Sequence, residues 1–206
     1  MNINWYGQGC FKIVSQKSRN GSVNILINPP EKESGLRSPK LEADIILFSN
    51  PEDKKISEVS GKESFLVTGP GEYDVKEVYI QGIYDKKNTI YTIETEGIRI
   101  CHLGKFSQRE LTSQQTEIIG EIDILMIPVG GGEVIAAKEA IKIMTQIEPK
   151  ITLPMYYKIP KLKKKLEGVD KFLKGMGKQT IEFQDKLVIK HKDLSQDGVE
   201  IVVLKP

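Results

Sequence analysis

The chain has 206 residues, 39% of them apolar and 28% charged, with a net charge of +2. That length fits one domain over residues 1–206 with a substantial core. No apolar run approaches the roughly 18–20 residues that a membrane span needs, and "MNINWYGQGCFKI" lacks the pattern of a secretion signal, so a cytoplasmic protein is expected.

The first half reads as short strands punctuated by turns. "NINWYG" and "CFKIVS" alternate or run apolar, and "SVNILINP" stops at Pro29-Pro30. "ADIILF" (43–48) reads as a fully buried strand that opens into the Ser-Asn-Pro turn of "FSNPEDKK". "ESFLVT" leads into the turn "GPGEY", followed by "DVKEVYIQGIY", "NTIYTIET" and "IRICHLG". A hairpin centred on Glu96-Gly97 joins the last two. Strands this closely spaced predict a β-sandwich core.

The second half alternates. "LTSQQTEIIGEI" is a short helix with Thr112 as its cap, and "DILMIPVG" a buried strand. "GEVIAAKEAIKIMTQIEP" is a helix ended by Pro149, and "KITLPMYY" a strand. "PKLKKKLEGVDKFLKGMG" is expected to form an amphipathic helix with an apolar stripe of Leu162, Leu166, Val169, Phe172 and Leu173. "QTIEF", "DKLVIKH" and "GVEIVVL" return to strands. Cys10 and Cys101 sit in apolar strand segments and read as buried free thiols, and no C-x-x-C spacing suggests a zinc finger.

Charge is unevenly placed. Residues 158–178 hold eight Lys against Glu167 and Asp170, a local +6, so the remainder carries −4. Only four residues are Arg, the usual choice for bidentate phosphate or base recognition, and no aromatic residue alternates with these lysines. Nucleic acid is therefore a disfavoured partner, and a solvated helix face is the preferred reading of the lysines.

In their order and spacing, these segments resemble the metallo-β-lactamase superfamily, and within it a branch of small Zn-dependent hydrolases similar to ascorbate-phosphate lactonases. The resemblance is carried by "WYGQGCFKI", "ILINP", "ADIILFSNPEDKK", "GPGEYDVKEVYIQGI", "NTIYTIETEGIRICHLG", "DILMIPVGG", "IEPKITLPMYYK" and "LEGVDKFLKGMG", almost the whole chain. It implies an α+β fold, an αββα sandwich of two mixed sheets flanked by helices, with the site on loops at one edge. It also implies one or two zinc or manganese ions, held by His and Asp, that turn a water into a hydroxide nucleophile.

Position by position, the family's ligands are replaced. Its H-x-H-x-D-H cluster falls on Asn50, Glu52, Lys54 and Lys55, an earlier His on Gln8, and a late ligand on Tyr156. His102 stands where the family has His, but the Asp expected just after it is Lys105. The chain's other His, His191, lies away from every such position. Like charge from Lys54, Lys55 and Lys105 opposes a bound cation. The sequence therefore predicts a vestigial site with no metal or other cofactor and no catalytic residue. A non-catalytic binding or assembly role follows, with a second copy, an active paralogue or a small anion as partner. The alternative is a metal-dependent hydrolase of a phosphoester or lactone with an atypical site. Two finer expectations go with the first reading: His102 is a hydrogen-bonded structural residue, and Lys105 pairs with Glu52 or Asp53 in place of the metal. "PVGGGEV" and "GPGEY" read as tight turns rather than anion cradles, with Glu72 at most a polar neighbour of the site.

Overall fold

The computed structural model describes residues 1–18, 21–30, 34–36, 42–52, 63–195 and 198–206. Strands dominate because β-branched and aromatic residues recur with the two-residue period of a half-buried sheet. The first is β1 (Asn2–Trp5), followed by β2 (Phe11–Gln16) and β3 (Ser22–Ile27). Two short strands follow, β4 (Ile45–Leu47) and β5 (Phe65–Val67). In β2, Phe11, Ile13 and Ser15 point inward while Lys12 and Val14 lie half-buried on the other face. β3 and β4 carry nearly continuous apolar residues because both of their faces are covered.

A second run of strands begins with β6 (Gly71–Val75), β7 (Val78–Asp85), β8 (Asn88–Thr95) and β9 (Ile98–His102). β10 (Ile124–Pro128) and β11 (Ile151–Met155) are wholly buried. Four short strands complete the chain: β12 (Phe183–Gln184), β13 (Leu187–Val188), β14 (Glu200–Ile201) and β15 (Val203–Leu204). The hairpin between β8 and β9 turns on Glu96 (φ 54°) and Gly97 (φ 70°), with Thr95 opposite Ile98. Two left-handed residues in a two-residue loop match the right-handed twist of the flanking strands.

Two mixed sheets result. One has the order β13-β1-β2-β3-β4-β5 and the other β14-β11-β10-β9-β8-β7-β6, with β12-β15 as a separate pair. Antiparallel hairpins give way to parallel pairing from β3 to β5 and from β9 to β14. Ile3, Trp5, Phe11, Ile13 and Ile25 belong to the main core together with Ile80, Ile93 and Ile100. Each such side chain, fully buried, contributes about 1.5–3 kcal/mol of transfer free energy. A smaller cluster of Cys10, Leu26, Ile46 and Phe48 packs separately. Both cysteines are buried and neither forms a disulfide, as expected.

Three helices are described. In α1 (Ser113–Ile119), Thr112 caps the start by accepting from the Gln115 N–H, and the Gln115 side chain accepts from the Thr112 N–H. In α2 (Ala137–Ile147), Ala140, Ile143, Met144 and Ile147 form the buried stripe. It ends at Glu148 in the left-handed region, before Pro149. In α3 (Asp170–Gly175), Phe172 and Leu173 are buried, and the helix packs on α2 so closely that a Cβ at Gly175 would lie 2.4 Å from Ile141 Cδ1.

Four expectations need correction: "DVKEVYIQGIY" is broken by a turn at left-handed Lys76 and Glu77 into β6 and β7, of "QTIEF" only Phe183 lies in a strand, and two others follow. The helix predicted over 160–177 exists only as α3, and residues 161–165 form no helix. Long-range backbone bonds hold this segment instead: Lys158 N–H to the Glu167 carbonyl, Glu167 N–H to Gly130, and Lys163 N–H to Ser34. "GVEIVVL" divides into β14, paired with β11, and β15, paired with β12.

Candidate functional site

One edge of the sandwich gathers the loops that follow β1, β4, β9 and β11. The β1–β2 turn is closed by Tyr6 N–H to the Cys10 carbonyl and Cys10 N–H to Gly7. It carries Gln8 in the left-handed region (φ 49°). Tyr156, just past β11, is also left-handed (φ 50°), buried, and bonded through its N–H to the Gln8 carbonyl. Its ring lies over Gly9, where a Cβ would come within 2.6 Å of the phenol. Only glycine lets the two loops approach this closely.

His102, the last residue of β9, has no exposed surface. The Gly104 N–H donates to its Nδ1 at 3.1 Å, so the proton sits on Nε2, which donates to the Gly9 carbonyl at 3.0 Å. Phe11 packs edge-on against the ring at 5.8 Å between centroids. Burial pushes the His102 pKa down to about 4, so the imidazole is neutral across the physiological range. Neither ring nitrogen keeps a free lone pair for a ligand. This is the hydrogen-bonded structural histidine that the sequence suggests. Its neighbour Cys101 is fully buried, and burial drives its thiol up to about 12, so it stays protonated.

Around His102 the polar groups are likewise spent on one another. Asn88 donates to the Leu103 carbonyl and accepts from the Lys105 N–H at 3.0 Å. Ser49 N–H donates to Asn28 Oδ1, and Asn28 Nδ2 returns a bond to Ser49 Oγ. Asn50 is half-buried and accepts from the Glu52 N–H through Oδ1, which makes it the hinge of a turn. Glu52 is exposed. Asp53, Lys54 and Lys55 lie outside the described residues, as do any contacts they make.

Gln8, Lys105 and Tyr156 are brought together in one cleft of about 170 Å³, where Asn28 joins them. Asn50, Glu52 and His102 do not line it. Sequence reasoning missed two of its lysines: Lys163 and Lys164 reach it because their segment folds back as a loop instead of a helix. Glu133 pairs with Lys164 at 2.7 Å, and that bond, reinforced by the fields of Lys164 and Lys105, holds the Glu133 carboxyl below the usual range. Among the described residues Lys105 makes no ion pair, so the expected Lys105–Glu52 bridge is not formed; the Lys105 backbone is fixed by Asn88, and its side chain lines the cleft with Lys163 and Lys164. No group of three His, Cys, Asp or Glu side chains converges among the described residues.

"PVGGGEV" is a turn, whereas in "GPGEY" only Gly69 and Pro70 lie outside a strand, since Gly71–Tyr73 belong to β6. In and just after "PVGGGEV" the N–H groups of Gly131, Val134 and the following Ile135 bond to the carbonyls of Ile135, Gly131 and Phe106, which leaves none of these three for an anion. Glu72 is exposed in β6, away from the cleft. His191 approaches Gly97 at the β8–β9 hairpin.

Two mixed sheets with a loop-built cleft at one edge define a metallo-β-lactamase-type sandwich. The chain belongs to the beta-lactamase superfamily, whose domain model matches residues 2–156. It is 32% identical to a crystal structure from Thermotoga maritima described as a Zn-dependent hydrolase of the metallo-beta-lactamase superfamily, with a TM-score of 0.82 over 100% of both chains. It is also 28% identical to a UPF0173 metal-dependent hydrolase of Thermococcus onnurineus, over 75% of this chain and 84% of that one. A metallo hydrolase of Ignicoccus hospitalis, 14% identical over 92% of this chain and 99% of that one, shares the fold at a TM-score of 0.62. No described helix is long and apolar enough to cross a membrane.

Proposed function

We propose that this chain is a metallo-β-lactamase-fold domain that binds a ligand or partner without metal-dependent catalysis. One observation carries the reading: the two ring nitrogens of His102 are both occupied by backbone groups, at Gly9 and Gly104. A zinc or manganese site needs converging lone pairs from imidazole and carboxylate groups. The residues at the family's ligand positions do not fit that need. Gln8, Asn50 and Tyr156 are poor ligands for such an ion, Glu52 is exposed and does not line the cleft, and Lys105, Lys163 and Lys164 bring like charge to it.

The partner classes compatible with this reading are a second copy of the chain, an active paralogue, or a small anion in the cleft. A second reading, a metal-dependent hydrolase of a phosphoester or lactone with an atypical site, is supported by the names of the relatives. Elemental analysis after incubation with Zn²⁺ or Mn²⁺ and removal of excess metal separates the two. We expect far less than one ion per chain, and near-stoichiometric metal would overturn our reading in favour of the second.

A further inference from the structure

We infer that the cleft is an oxyanion site, built to take a phosphate group or a small phosphate monoester with no metal ion. The inference rests on the metal-free reading above and adds the chemistry of the ligand.

Three ammonium-bearing side chains, Lys105, Lys163 and Lys164, line this small concavity, and no carboxylate appears among its described lining residues. Glu133 neutralises Lys164 from outside the lining, which leaves an excess of positive charge in a space partly walled by protein. Such a wall strengthens attraction to an anion relative to open solvent. Lysines act here as point charges on a dianion, a role they serve well without the forked geometry of arginine.

Gln8 supplies an independent observation. Its Nε2 amide is fully buried and has no hydrogen-bond acceptor among the described residues. Leaving such a donor unsatisfied costs about 1–3 kcal/mol, and because the Gln8 side chain lines the cleft, an anion bound there recovers that cost when the amide turns toward it. Gln8, Asn28 (φ 44°) and Tyr156, all non-glycine residues in the left-handed region, surround the same cleft. Strained backbone of this kind concentrates at ligand sites. At about 170 Å³ the cleft is well below the several hundred cubic ångströms typical of pockets for drug-sized ligands, and it suits a phosphate with a few further atoms.

The test is calorimetric titration of the full chain with inorganic phosphate and with glycerol phosphate, chelator present throughout, against chloride at matched ionic strength. We expect saturable one-to-one binding of phosphate and none of chloride. Tighter binding of the ester than of free phosphate identifies a phosphorylated small molecule as the ligand, and the reverse order identifies the free ion. Lys105→Ala should weaken binding about tenfold or more. Gln8→Leu should weaken it severalfold with no change in charge, while Lys142→Ala, an equal loss of charge outside the cleft, should leave it within about twofold. Lack of saturation in the millimolar range, or equal effects of Lys105→Ala and Lys142→Ala in folded protein, overturns the inference. Because chelator is present, this failure is distinct from failure of the metal-free reading, which the metal analysis alone decides.

Discussion

The Nε2–H of His102 donates to the carbonyl of Gly9 at 3.0 Å, joining the end of β9 to the β1–β2 turn across 93 residues of chain. In the folded protein the ring is held neutral, with a pKa near 4 against about 6.5 unfolded. The unfolded state therefore binds the extra proton first as pH falls. Stability from this group is complete above pH 6.5 and is lost progressively toward pH 4, by roughly 3 kcal/mol in total.

The prediction is a melting temperature that drops between pH 7 and pH 5 more steeply in the natural chain than in His102→Asn. His102→Asn itself should cost about 2–4 kcal/mol at pH 7 by leaving Gly9 and Gly104 without good partners. Identical slopes for the two proteins between pH 7 and pH 5 would rule out His102 as the titrating group.

Lys105 leads to a prediction that departs from the sequence expectation. Its ammonium has no ion-pair partner among the described residues and shares the cleft with Lys163 and Lys164. Its structural tie, the backbone N–H to Asn88 Oδ1, survives truncation of the side chain. Lys105→Ala should thus leave the melting temperature essentially unchanged in phosphate-free buffer, since the repulsion from Lys163 and Lys164 that it relieves and the attraction to Glu133 that it removes are each at most a few tenths of a kcal/mol. A clear fall would mean that this lysine holds the loops together after all.

Asp44 ties the start of β4 to β3 and to the β6–β7 turn. Partial burial acts to raise its carboxyl, but the Asn24 N–H and then Lys76 outweigh it, so the net shift is downward. A depressed carboxyl contributes stability above its unfolded pKa and loses it as pH falls through the folded value. Asp44→Asn should destabilise by about 1–2 kcal/mol at pH 7. The gap between the two proteins should narrow on acidification below the ordinary carboxylate range; a gap of constant size from pH 7 down to pH 3 would sink the argument.

Most of the fold was legible because it is written in local pattern. Apolar runs such as 45–48 and 124–129, the Glu96-Gly97 turn and the Thr112 cap each depend on residues a few positions apart. The Lys-rich segment misled because Leu162, Leu166, Val169 and Phe172 fall at helical spacing. What decides its conformation is instead non-local, a backbone ladder to Gly130 and Ser34 together with Lys161 in the left-handed region. For the same reason the site was only half visible. Replacement of the family's ligands can be read residue by residue, and so Gln8, Lys105 and Tyr156 were found. The addition of Lys163 and Lys164 depends on that loop, as the wiring of His102 depends on two backbone groups, and no sequence pattern signals either.

Gly130 tests how tightly the edge is assembled. A Cβ placed there would stand 2.1 Å from the Tyr156 carbonyl oxygen and 2.9 Å from Tyr157 Cα, both backbone atoms that no rotamer change can move. The same glycine pairs with Ala136 in a β-bridge and accepts the Glu167 N–H, so it joins the β10 turn, the segment after β11 and the lysine loop. Gly130→Ala should therefore cost on the order of 3 kcal/mol or more, far beyond the usual effect of one methyl. Gly177→Ala, also in α3's neighbourhood but in open space with φ 71°, should cost only the ~1 kcal/mol of placing a side chain in the left-handed region. Equal losses in the two variants, measured by denaturant unfolding, would show that the contact with Tyr156 is not what constrains Gly130. A much larger loss at Gly130, accompanied by weaker phosphate binding, would show that this crossing of backbones sets the shape of the cleft.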